Sequence, residues 1–190
     1  MTDTAKQFYH VSRVGKLEGE ITLSKDFSRL AIEKPNTFFN NTELIKTIEG
    51  YFPNGISRHG ESYLSEKIFY WHDNQNNLDF IPYIPSIELV FEIIRRANYP
   101  SLPSRLQSIF AFETLEEALK FKSQYSQVDC PIYIVEANKC IKRDMSLLKL
   151  GFNISGGITL AEKYWSAQQS ENPEWEILLE LPVKIISCLP

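Results

Sequence analysis

Glycine and cysteine are both scarce in this chain of 190 residues, at 8 and 3 respectively. Cys130, Cys140 and Cys188 are too few, and odd in number, for a disulfide framework, which favours a reducing compartment. No charge of one sign dominates either. The formal net charge of -4 leaves no footprint of a general nucleic-acid binder, although a local basic groove stays open. No apolar run is long enough to span a bilayer, and MTDTAKQFYHVSRVG carries no apolar leader core. The expected placement is soluble and cytoplasmic, away from membranes; a signal-less secreted effector reads the same way. Also missing are a Walker-type phosphate loop, a Rossmann glycine fingerprint and a zinc-protease helix motif. The cysteines and His10, His59 and His72 show no metal-ligand spacing, so no metal is expected. A Cys–His nucleophile pair stays open, because such residues meet in space rather than in sequence.

What is present is a core. Hydrophobic residues make up 43% of the chain and aromatics 13%, ample for a packed interior, and the length fits one domain over residues 1–190. No repeat, low-complexity segment or Gly/Ser-rich linker divides it. Alternation predicts a strand over Gln7–Arg13 with Phe8, His10 and Ser12 on one side, and a short one over Glu20–Ser24. The period then changes. Asn41 or Thr42 caps a helix carrying Leu44, Ile45 and Ile48, which ends by Pro53. Asn54-Gly55 and the region around Gly60 read as turns, Glu61 to Tyr70 as a helix, and His72 to Asn77 as a loop. From Pro85-Ser86 a helix follows with Ile87, Val90, Phe91 and Ile94 on one face and Arg95 and Arg96 in its last turn.

Ser104 to Phe112 is a strand-like run. Thr114-Leu115-Glu116-Glu117 is a capping box opening a helix through Tyr125. Pro131 to Ala137 alternates like a buried strand. A second capping box, Thr159 to Glu162, opens a helix holding Tyr164 and Trp165, and the end from Trp175 to Leu189 is strand-rich, interrupted by Pro182. A strand, a helical block, then strands mixed with helices argues for an α+β fold.

The segment NPEWEILLELP places Trp175, Ile177, Leu179 and Leu181 on one strand face and Glu174, Glu176, Leu178 and Glu180 on the other. Such glutamates are usually solvated. Two positions along a strand are about 7 Å apart, however, so Glu174 and Glu176 can also reach one ligand together. A carboxylate there suits glycosidic-bond cleavage, where it holds a sugar hydroxyl and faces an oxocarbenium ion. His10 reads either as a hydrogen-bonded core histidine or as a ribose contact, with the Ser12 hydroxyl pointing the same way. Arg105 is either a surface residue or a partner for phosphate or carboxylate. Tyr164 and Trp165 read as core.

Three segments, YHVS, SRLQSIFA and EWEILL, together resemble the ordered motifs of the ADP-ribosyltransferase superfamily. Tyr9, His10 and Ser12 match the Y-H-x-S/T pattern of the diphtheria-toxin-like His-Tyr-Glu branch. Glu174, Trp175 and Glu176 before Ile177-Leu178-Leu179 match its final Glu-x-Glu strand. Where that branch carries a middle Tyr stacked on nicotinamide, this chain carries Phe110, within a segment similar to an uncharacterised bacterial family of YH…SRxQSxFA…YWS…EWE layout. The resemblance implies a single split-sheet domain with an N-terminal helical block and NAD as substrate. It implies His10 and Ser12 on the adenosine-side ribose, and Phe110 and Ser108 in the cofactor-binding segment. Arg105 would lie on the pyrophosphate or serve as a structural partner. Glu176 is then the catalytic carboxylate and Glu174 the residue that positions the acceptor.

The expected activity is mono-ADP-ribosyl transfer to a protein or nucleic-acid acceptor. Toxin, effector or antiphage roles, with an antitoxin or immunity partner, follow at family level. Three competitors stand beside it: an NAD glycohydrolase with water as acceptor, a non-catalytic NAD or nucleotide-binding module, and a protein–protein interaction domain whose glutamates are surface charge.

Overall fold

Period-two alternation at both ends of the chain builds two antiparallel sheets. The structure is a computed structural model and describes residues 5–13, 16–31, 38–65, 70–72, 78–80, 83–125, 130–151 and 153–189. The elements begin with β1 (Lys6–Val11), β2 (Glu20–Ile21), α1 (Asn41–Tyr51), α2 (Arg58–Leu64), β3 (Tyr70–His72), β4 (Leu78–Phe80) and α3 (Tyr83–Asn98). They continue with β5 (Ser108–Ala111), α4 (Leu115–Tyr125), β6 (Ile132–Ala137), β7 (Cys140–Asp144), α5 (Ile154–Trp165), β8 (Trp175–Glu180) and β9 (Val183–Cys188). One sheet has the order β1-β6-β9-β2 and the other β5-β8-β7, with β3 and β4 forming a separate pair. The fold is α+β, and α1 to α3 form the helical block between β2 and β5.

Strand alternation decides what lies between the layers. Phe8, Tyr133, Val135 and Val183 of the larger sheet pack with Ile109, Ala111, Ile177 and Leu179 of the smaller one. The opposite face of the smaller sheet offers Phe110, Ile141 and Leu178 to Phe91 on α3 and to Tyr164 and Trp165 on α5. The two sheets meet where Tyr9 and Phe112 exchange backbone hydrogen bonds of 2.9 Å each way. Both faces of β8 are therefore covered from Glu176 to Leu179, so Glu176 does not lie on a solvated part of the strand.

Several element boundaries differ from the sequence reading, each for a local reason. The cap of α1 is Asn40, which forms a full capping box with Glu43. Gly60 does not make a turn but sits inside α2, whose cap is Ser57. A Cβ there would lie 2.2 Å from the carbonyl oxygen of Leu106, so glycine lets this helix press against that backbone. The helix stops at Leu64, and Tyr70 opens β3 instead of closing the helix. The second strand shortens to Glu20–Ile21, with Ser24 in an isolated bridge to Ile56.

SRLQSIFAF opens as a 3-10 turn over Arg105–Gln107 because the Ser104 side chain accepts from the Leu106 amide. The last helix starts five residues before Thr159, at Ile154, capped by Asn153. Thr159 lies within it and donates its hydroxyl to Ser155 O at 2.8 Å. The loop expected at His72 to Asn77 falls, from residue 73 onward, outside the described residues. Among the described residues no helix is long and apolar enough to cross a membrane.

Candidate active site

The three motif segments come together around the near end of the smaller sheet. Phe110 of β5 pairs with Leu178 of β8. His10 of β1 reaches across the junction, its Nδ1 2.6 Å from Phe110 O. A carbonyl only accepts, so Nδ1 is the protonated nitrogen and Nε2 is the acceptor of this imidazole. Burial lowers the basicity of His10, against the carbonyl contact that raises it, so the ring is neutral at physiological pH.

Glu176 is 4% exposed, as is Arg105. Their partnership is built from two further elements, α3 and α5. The guanidinium presents one edge, Nε and Nη2, to Glu88 of α3 at 3.0–3.2 Å. Its Nη1 donates to Glu176 Oε1 and to the Tyr164 hydroxyl of α5. Tyr164 in turn donates to the same Oε1 at 2.7 Å. Oε1 is thus held by two donors, while Oε2 carries no hydrogen bond to the described residues.

The charges in this cluster do not balance. One guanidinium faces two carboxylates. Burial opposes the charge of Glu88, but the Arg105 guanidinium outweighs it and lowers Glu88 to about 2. Burial dominates at Glu176, raising it above the usual carboxylate range despite Arg105 and Tyr164. Burial disfavours the Arg105 cation as well, yet Glu176 and Glu88 hold it firmly charged. Burial also raises Tyr164 and keeps its phenol protonated as a donor.

An aromatic wall borders these charges. The Phe110 ring has the Arg105 guanidinium 4.4 Å from its centroid. His59 of α2 meets the same ring edge-on at 4.4 Å and Tyr63 at 4.4 Å. His59 Nε2 lies 3.4 Å from Glu88 Oε1 but makes no hydrogen bond. Burial keeps this imidazole neutral, so the contact is a close approach rather than an ion pair. The field of the exposed Arg13 also acts on His10, His59 and Tyr63. Among the described residues no group of three or more His, Cys, Asp or Glu is placed to hold a metal ion.

A family model described as a protein of unknown function, DUF2441, matches residues 8–189. The chain belongs to the DUF2441 family. The matched span contains every residue of the cluster from His10 to Glu176, so the site lies inside the family's domain. No curated protein matches the chain.

The remaining sequence candidates of this DUF2441 member fall around the cluster rather than in it. Ser12 is buried beside the end of β1, its amide bonded to Pro131 O at 2.9 Å. Ser108 is buried and donates to Ser104 O at 2.8 Å, tying the 3-10 turn to β5. Arg105 is not on the surface. All three of its guanidinium nitrogens are engaged by Glu88, Glu176 and Tyr164, which makes it a partner for carboxylates.

Glu174 precedes β8 and turns to α4, where it accepts from Tyr125 at 3.1 Å and lies 3.4 Å from Lys120. It shares no partner with Glu176. It lines a groove with Phe121 and Trp175. Glu180 is solvated and lies 3.4 Å from Lys139.

Glu88, Tyr164, His59 and Tyr63 escape a sequence reading. Tyr164 reads as core, which it is, but its hydroxyl faces Glu176. Glu88 sits beside Ile87 on the clearest apolar helix of the chain. With Glu92 and Arg95, also buried, it marks a charged shoulder to the apolar stripe, and that shoulder is the one available signal.

Proposed function

We propose that this protein is an NAD-dependent mono-ADP-ribosyltransferase that modifies a macromolecule. One observation carries the reading. The three segments that resemble the transferase motifs meet in space, His10 against the Phe110 carbonyl and Arg105 against Glu176.

In the proposed reaction the bond between C1′ of the nicotinamide ribose and the ring nitrogen of nicotinamide breaks. Its electron pair leaves with nicotinamide. The ribosyl cation that develops is stabilised by a carboxylate that accepts the 2′-hydroxyl proton as a hydrogen bond. Glu176 suits that role because Oε1 is fixed by Arg105 and Tyr164 while Oε2 is left to a ligand. His10 offers a neutral Nε2 acceptor to a ribose hydroxyl. Phe110, with His59 and Tyr63, supplies apolar ring surface for a planar group. The acceptor then attacks C1′ and gives up one proton to the surrounding water, with Glu174 on the α4 side as the residue that positions the acceptor.

Water in the acceptor position makes the same site an NAD glycohydrolase. Incubation with labelled NAD and lysate, followed by separate protease and nuclease digestion, tests the reading. Label in a protease-sensitive or nuclease-sensitive polymer supports transfer. Free ADP-ribose at a rate that no lysate component changes supports hydrolysis. Neither product contradicts both.

A further inference from the structure

The Glu88 carboxylate has a position that neither the motifs nor the proposed chemistry uses. It is buried on α3 and touches no group of the three motif segments except the Arg105 guanidinium. That contact takes the Nε and Nη2 edge and leaves Nη1 as the only nitrogen turned to Glu176. A guanidinium is a rigid plane, so fixing one edge fixes the direction of the third nitrogen. Tyr164 closes the arrangement by donating to the same oxygen that Nη1 holds.

We propose that Glu88 and Tyr164 are positioning residues for Glu176. Glu88 aims Arg105 from behind, Tyr164 holds Oε1 from α5, and together they hold Oε2 in the direction of the ligand. Neither touches substrate.

The two act on Glu176 with opposite electrostatic sign. Glu88 shares the single positive charge of Arg105 and adds a second negative charge to the cluster. Tyr164 adds a donor that favours the carboxylate. The other groups facing Glu176 do not change between these variants. They are Arg105 on the 3-10 turn, Tyr63 on α2, and Arg143, its cross-strand neighbour on β7. Arg143 itself donates to Lys142 O and Trp165 O, so Arg105 is the cation that pairs with Glu176.

The inference rests on Glu176 being the working carboxylate, but it can be tested without turnover. Carboxyl-carbon NMR titrations of the wild type, Glu88→Gln and Tyr164→Phe read Glu176 directly, its resonance assigned by its absence in Glu176→Gln. Glu88→Gln lowers the Glu176 midpoint and Tyr164→Phe raises it, each by about one pH unit. Glu88→Asp, which keeps the charge, leaves it near the wild-type value. If Glu88→Gln does not fold, the isosteric Tyr164→Phe still decides the sign on its side. A midpoint that moves the same way in both variants, or in neither, overturns the proposal. If the shifts occur in a protein that leaves NAD intact, the positioning stands and the transferase reading falls. If NAD is cleaved and the midpoints do not move, the reverse holds.

Discussion

His10 Nδ1 lies 2.6 Å from the carbonyl oxygen of Phe110, a residue 100 positions further along the chain. This single contact fixes the tautomer of the imidazole and joins the first motif to the second. It also leaves Nε2 as a neutral acceptor, able to take a hydrogen bond from a ribose hydroxyl. Replacement of His10 by Ala is expected to weaken NAD binding about tenfold, the worth of one well-made hydrogen bond. Protonation at Nε2 turns the acceptor into a donor and reverses the hydrogen bond that a ribose hydroxyl makes, so affinity in the wild type, but not in the His10→Ala protein, should change with pH below the ordinary imidazole range, where the lowered His10 titrates. Calorimetric NAD titrations of both proteins between pH 5 and 8 check this.

The acid limb of stability reports on Glu88. Its folded value of about 2 lies below the ordinary carboxylate value of 4.5, so the unfolded chain binds more protons between those values. The stabilisation is therefore complete above pH 4.5 and is lost as pH falls toward 2. It amounts to roughly 3 kcal/mol. Denaturant melts of the wild type should lose stability over that window, and Glu88→Gln should be less stable at pH 6 and lose less on acidification.

Gly60 is expected to be intolerant of any side chain. A methyl group there meets the Leu106 backbone, which cannot yield without moving the 3-10 turn that carries Arg105. Gly60→Ala should lower stability by about 2 kcal/mol or more and reduce NAD binding with it. An equally stable variant with unchanged binding would show that α2 does not brace the site.

Asp144 ties down the chain that leads to Glu174. Its Oδ1 accepts the amides of Ser146 and Glu174 at 3.0 Å each, and its Oδ2 that of Ser170 at 2.7 Å. Asp144→Ala should release this segment at a loss of about 2 kcal/mol. Transfer to a macromolecule should suffer more than nicotinamide release, because Glu176 stays anchored by Arg105. Parallel assays of label transfer and nicotinamide release measure the split.

Strands and motif order were legible in the sequence because alternation and turn chemistry are local. The α+β class, the apolar stripe of Ile87 and Phe91, and the capping box at Thr114 to Glu117 were all readable in this way. Boundaries failed where tertiary contacts override local preference. Gly60 looks like a turn unless the Leu106 backbone beside it is known, and Thr159 looks like a cap because its box pattern is repeated inside a helix.

The site was legible only in part. Glu176 and Arg105 stood out, but whether Arg105 faced solvent or a carboxylate depended on Glu88, 17 residues earlier. Glu174 and Glu176 are equivalent by alternation, and only the packing of α3, α4 and α5 separates a buried carboxylate from a rim one.

The central claim is that Glu176 is the carboxylate at a breaking glycosidic bond. Burial makes its ionised form unfavourable in the fold, so the neutral amide of Glu176→Gln should keep the wild-type melting temperature at pH 7 or raise it. Nicotinamide release from labelled NAD by the wild type and by Glu176→Gln, in proteins of matched stability, is the direct measurement. The account predicts release by the wild type and a loss of at least about a hundredfold in the variant. Equal release by the two proteins would contradict it.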